Sequence, residues 1–161
     1  EVFMRWAEMA AFTPVMRTHE SNRPDESFQF YQSEKAVRHF ALMVKRYIHL
    51  VPYLKALVRE AILGGIPVQR PLFLHYEHDP NTRSIHDEYL YGPDLLIAPV
   101  HKSGLEHWRL YLPLGDTWVH LWSGKEHVGG SWIEVHAPMG DIPAFYRQGS
   151  PFAELFKGLP Q

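Results

Sequence analysis

The chain has 161 residues, the size of one ordinary domain or two small ones, with 45% hydrophobic and 14% aromatic residues, enough for a real core. A formal charge of −2 supplies no basic field for a nucleic-acid backbone, and no apolar run reaches the roughly 18 residues of a membrane span. Zero cysteines exclude disulfides and thiolate metal sites and fit a reducing, cytoplasmic setting.

Residues 1–11 read as a helix. Phe3, Trp6 and Met9-Ala10 recur at helical spacing among good helix formers. The chain opens in the middle of that pattern, on Glu1 rather than Met, so a piece of something longer is expected; its first residues Glu1-Val2-Phe3-Met4-Arg5 do not read as a secretory signal. Pro14 and a polar stretch follow. Ser33 is the expected N-cap of a second helix, with Glu34 favourable in its first turn. Val37, Phe40, Ala41, Val44, Tyr47, Ile48 and Val51 then trace the expected apolar face. Pro52 should kink or break this helix, Leu54, Leu57, Val58, Ala61 and Ile62 continue it, and Gly64-Gly65 stop it.

After Gly65 the pattern changes to short runs rich in β-branched and aromatic residues, at 66–76, 94–101, 107–113, 117–123, 131–138 and 142–148. Turn residues at 79–82, 102–104, 114–116, 123–130, 139–141 and 148–150 separate them, the mark of an antiparallel sandwich or barrel. Residues 150–159 suggest a short closing helix or turn. The expected boundary falls near residue 65: 1–65 helical, 66–161 an all-β domain.

Candidate chemistry is sparse. His75 and His78, with Asp79, and His86-Asp87-Glu88 bring ligand types together, but not at an offset that aims them at one ion, so solvated loop histidines and no metal are expected. Glycoside hydrolysis needs two carboxyl groups flanking the scissile bond, about 5 to 5.5 Å apart in retaining enzymes. Of Glu8, Glu20, Asp25, Glu26 and Glu34, Glu8 should be half exposed and Asp25-Glu26 solvated, leaving only Glu20, next to His19, suggestively placed. No nucleophile elbow and no phosphate-cradling glycine loop is present. Trp108, Trp118, Trp122 and Trp132 suit either sugar stacking or a core, and the core is expected.

One stretch carries a resemblance. Arg5, Trp6, Ala10, Ala11, Phe12, Pro14 and Arg17 resemble the second signature of glycoside hydrolase family 31, the α-glucosidase group; Met9, Val15 and Thr18 depart from its commonest residues. Residues 51–76 look like that family's last barrel helix running into its first C-terminal strand. Residues 89–100, 110–130 and 133–150 look like its proximal C-terminal β-domain. Within the family, Met16-Arg17-Thr18-His19-Glu20 followed by Asn22-Arg23-Pro24 resembles the sulfoquinovosidase group, which releases sulfoquinovose from α-glycosides such as sulfoquinovosyl glycerol.

The resemblance implies an α+β chain: the last strand and helices of a (β/α)8 barrel in 1–65, then an antiparallel β-sandwich in 66–161. It implies that residues 12–19 form the eighth strand and its exit, with His19 at the rim binding glycone hydroxyls. Arg17 would be structural, paired with a carboxylate behind the strand, and Glu20 has no family role and would face away from a sulfonate. The catalytic aspartates and the residues gripping the sulfonate belong to earlier barrel strands, so no catalytic residue is assigned in this chain. The implied partners are an α-glycoside and the rest of the barrel, with no cofactor, nucleic acid or membrane. Alternatives are an ordinary α-glucosidase and a free-standing carbohydrate-binding module. In the module, the apolar faces of the first helix and residues 12–16 would be buried within the chain; in a barrel piece they would be exposed.

Overall fold

The computed structural model describes residues 1–161. Helices come first: α1 (Val2–Ala10), α2 (Glu34–His49) and α3 (Val51–Gly64). The Ser33 hydroxyl caps α2 by accepting the Ala36 N–H at 3.1 Å. Pro52 in the first turn of α3 makes Leu50 the break between α2 and α3, and Gly65 ends α3 at φ +70°, a left-handed cap that suits glycine.

Eight strands follow: β1 (Gln69–Arg70), β2 (Tyr89–Tyr91), β3 (Leu95–Ile97), β4 (His107–Leu112), β5 (Thr117–His120), β6 (Glu126–Val128), β7 (Ser131–His136) and β8 (Ala144–Arg147), closed by helix α4 (Ala153–Lys157). They form a sheet of order β1-β2-β3-β8-β5-β6 and a separate β4-β7 pair, antiparallel throughout. The period-2 alternation of the strands divides the core. Leu90, Leu96, Trp118 and Phe145 point from the large sheet toward Trp108, Leu110 and Leu112 of the small one. Tyr91, Leu95, Ile97, Val119, Ala144 and Tyr146 point the other way, onto Ala7, Phe12, Met43, Leu50, Tyr53 and Leu57 of the helical part. The large sheet is thus the middle layer, packed by β4-β7 on one face and by helices on the other. Contact with α3 is close at Gly92, where a β-carbon would collide with the Tyr53 hydroxyl and Leu57.

Several expectations are corrected. No strand forms at 12–19: residues 15–20 are irregular, and no strand of this chain lies alongside to complete a ladder. Scattered side-chain bonds satisfy part of that backbone instead, with Tyr89 donating to the Phe12 carbonyl at 3.1 Å and Tyr47 to that of Pro14 at 3.0 Å. The run at 66–76 pairs only at Gln69–Arg70, because Pro71 has no N–H to give and Leu72–Leu74 wind into a 3-10 turn. Strands β2 and β6 were not expected, and β6 lies inside the turn-like 123–130 stretch.

Helix α2 is rotated from the expected face. It buries Ala36, Met43, Arg46 and Leu50, while Val37 and Ile48 are exposed. Arg46 earns a core position through its polar partners. Its guanidinium donates to the carbonyls of Pro160 and Gly140, lies 3.4 Å from Asp141, and stacks 4.1 Å from the Trp122 ring centroid.

Candidate functional site

Helix α1 aims the candidate site. It is held to the β part by a buried pair in its second turn. Arg5 Nη1 lies 3.0 Å from Glu8 Oε2, and Arg5 Nη2 donates to the carbonyls of Leu105 and Ala137, both at 2.9 Å. The Gly140 N–H donates to Glu8 Oε1 at 2.6 Å. Glu8 is therefore not the half-exposed residue expected; it is 0% exposed. Burial pushes its carboxyl up, against the Gly140 N–H and the Arg5 guanidinium, which pull it down. It is committed to structure.

Beyond α1 the chain turns at Ala11 and Thr13, buries Phe12, and surfaces toward His19. An open cavity of about 590 Å3 lies alongside, lined among others by Phe3, Trp6, Thr18, His19, Phe28 and Phe40. The mixture of aromatic faces and a few polar groups suits a sugar-sized ligand or a packing neighbour. His19 is exposed and its imidazole makes no hydrogen bond within the chain, so both ring nitrogens are available.

The loop after His19 folds back on itself. Gln29 Nε2 donates to the His19 carbonyl at 3.4 Å, Tyr31 donates to Glu20 Oε1 at 2.9 Å, and the Ser21 and Ser27 hydroxyls lie 2.6 Å apart. The loop is also anchored by rings: Phe28 meets Phe3 edge-on at 5.7 Å, and Phe30 stacks on Phe40 at 5.2 Å.

The remaining candidates separate cleanly. Arg17 is exposed and forms no ion pair with a carboxylate of this chain. Glu26 pairs with Arg23 on the surface, and Glu34 with Arg38. His75 lies 2.8 Å from Arg70, whose guanidinium also bridges to Glu60, and His78 is fully solvated. No group of three or more His, Asp or Glu is placed to hold a metal ion. Trp108 and Trp118 fill the core between the sheets; Trp122 donates to the Ile142 carbonyl; Trp132 is covered on its face by Arg109 at 4.9 Å. Arg5, Gln29 and Tyr31 were missed as functional candidates. Arg5 had a signal, since it opens the matched signature; the other two had none.

This geometry is a piece of a recognised architecture. Residues 1–57 match the glycosyl hydrolases family 31 TIM-barrel domain, and residues 65–151 match the glycosyl hydrolase family 31 C-terminal domain. The chain belongs to glycosyl hydrolase family 31. It is 55% identical over 159 residues to a sulfoquinovosidase of Agrobacterium fabrum, covering 99% of this chain and 24% of that protein. It is 48% identical to a sulfoquinovosidase of Escherichia coli K12, covering 99% of this chain and 23% of that protein. Among solved structures, a family 31 sulfoquinovosidase from E. rectale in complex with an aza-sugar inhibitor superimposes with a TM-score of 0.93 at 52% identity, over 97% of this chain and 23% of that one. The chain thus spans about a quarter of the length of these relatives. Its architecture is α+β, the end of a barrel domain followed by an antiparallel C-terminal domain. No helix is long and apolar enough to cross a membrane.

Proposed function

We propose that the chain is the C-terminal part of a retaining α-glycosidase that hydrolyses α-sulfoquinovosides such as sulfoquinovosyl glycerol. The observation that carries the proposal is the 55% and 48% identity to two sulfoquinovosidases across nearly the whole chain. Residues 1–65 are the end of the catalytic barrel and 66–161 the proximal β-domain. The exposed apolar side chains of the helical part are the surface on which the rest of the barrel closes. The parent enzyme works in the cytoplasm, a location supported by a composition that depends on no disulfide.

In this reading His19 binds glycone hydroxyls at the rim. Its unengaged imidazole suits that role, since it can donate from one nitrogen and accept at the other. The two carboxyl groups that retention requires, a nucleophile and a general acid, come from barrel strands outside this chain. Its own carboxylates are poor substitutes: Glu8 is locked to Arg5, and Glu20 is engaged by Tyr31.

The test compares the protein expressed from its full reading frame with the 161-residue chain, on aryl α-sulfoquinovoside and aryl α-glucoside. Turnover of the sulfoquinovoside only by the longer protein is expected, with His19→Ala lowering its kcat/KM roughly tenfold to a hundredfold. Preference for the glucoside would overturn the substrate, and turnover by the 161-residue chain would overturn the division of labour.

A further inference from the structure

We infer that Gln29 is a positioning residue for His19, holding the rim histidine in place for substrate; this rests on the reading of His19 given above. Between Phe12 and Ala36 the loop turns one side chain fully inward, and it is a polar one: Gln29, 5% exposed. A buried amide needs partners. Its Nε2 finds one in the His19 carbonyl, 3.4 Å away. That bond fixes the peptide unit immediately after His19, and with it the direction in which the imidazole leaves the backbone.

The anchor itself is firm. Gln29 sits between two aromatic residues whose rings are seated on the helical part, Phe28 on Phe3 of α1 and Phe30 on Phe40 of α2. Its backbone N–H donates to Gln32 Oε1 at 3.0 Å. The next residue of the rim is tied to the same anchor, through Tyr31 and Glu20. His19, by contrast, has no side-chain tie of its own, so its aim depends on the backbone bond. Placement of a binding group within a few tenths of an ångström is what such supporting contacts supply.

The experiment is a double-mutant cycle in the enzyme expressed from its full reading frame, reading kcat/KM on an aryl α-sulfoquinovoside. Gln29→Met keeps the length of the side chain and removes the donor to the His19 carbonyl, together with the side-chain acceptor of the Gln32 N–H, which Gln29→Glu retains. It should lower kcat/KM roughly fivefold to tenfold, the worth of one hydrogen bond, and should do nothing further in a His19→Ala background. Gln29→Glu, run in the same cycle, provides the answer if the methionine variant does not fold. An equal loss in both backgrounds would show that Gln29 acts independently of His19, and would overturn the inference while leaving His19 its role. Full activity of both Gln29 variants would overturn it as well. If His19→Ala itself costs nothing, the reading of His19 falls and this inference falls with it.

Discussion

Trp6 on α1 leaves 63% of its surface in water, whereas Trp118 on β5 leaves none. The same contrast runs through the two parts of the chain. Val2, Val15, Ile48, Ile62 and Leu63 are exposed in the helical part, while Leu90, Leu96, Leu110 and Phe145 are sealed in the β part. The β part also exposes apolar side chains, at Leu114, Val128 and Trp132, but around a closed core. Under the function proposed above, the exposed apolar face of the helical part is the interface with the rest of the barrel. The helices use their other face, with Ala7, Phe12, Met43, Tyr53 and Leu57, to cover the large sheet.

The largest expected effect tests this contrast directly. Trp118→Ala should cost about 4 kcal/mol in urea unfolding, because it empties a closed core and strands the Pro113 carbonyl that accepts the indole N–H. Trp6→Ala should cost less than about 0.5 kcal/mol in the 161-residue chain. In the longer protein, with the barrel present, the Trp6 cost should rise to several times that value. Equal costs for Trp6 in both would break the comparison.

The two parts were also unequally legible. Local chemistry showed through: the Ser33 cap, the Pro52 break and the Gly65 stop each depend on one residue and its neighbours. So did β4, β5, β7 and β8, short runs rich in β-branched and aromatic residues between turn residues; β7 alternates over one half-buried face, whereas β5 and β8, in the middle layer, are buried on both. What depended on distant partners did not show. Residues 12–19 resemble a strand, but a strand needs neighbours. Glu8 looked half exposed because its burial is due to Arg5 and to Gly140, far along the chain. The face of α2 was misjudged because Arg46, a charged residue, holds a core position. At the site, His19 was reached through resemblance, whereas Gln29 and Tyr31 make single long-range bonds that leave no spacing to read.

The joint between the parts gives the next effect. Arg5→Met should cost about 3 kcal/mol, the low end for breaking a buried pair, since Glu8 keeps the Gly140 N–H. Adding Glu8→Gln should recover much of the loss by removing the stranded charge. If Arg5→Met costs under about 1 kcal/mol in urea unfolding, the pair does not hold α1 to the β part.

The smallest effect separates the two buried glutamates, and with them the two kinds of interior. Glu8 has a guanidinium beside it; Glu88, in the β part, has none. Its Oε1 accepts the Tyr111 N–H at 2.8 Å and its Oε2 has no partner. Burial, with Asp87 nearby, pushes its carboxyl up to about 8 from an ordinary 4.5, against the pull of the Tyr111 N–H. Below pH 4.5 the folded and unfolded chains both hold this proton, and Glu88 contributes no pH dependence. Between 4.5 and about 8 the unfolded chain releases the proton and the folded chain keeps it, so stability falls as pH rises, and above about 8 the penalty is complete. Glu88→Gln keeps an acceptor for Tyr111 and removes the charge. Its gain over the parent should therefore grow by about 2 kcal/mol between about pH 5 and about pH 7, within the limit of about 1.4 kcal/mol per pH unit for one proton. Urea unfolding of both proteins at those two pH values measures it. A gain that does not change with pH would mean that Glu88 is ionised in the folded protein and that the β interior is more accessible to water than its packing implies.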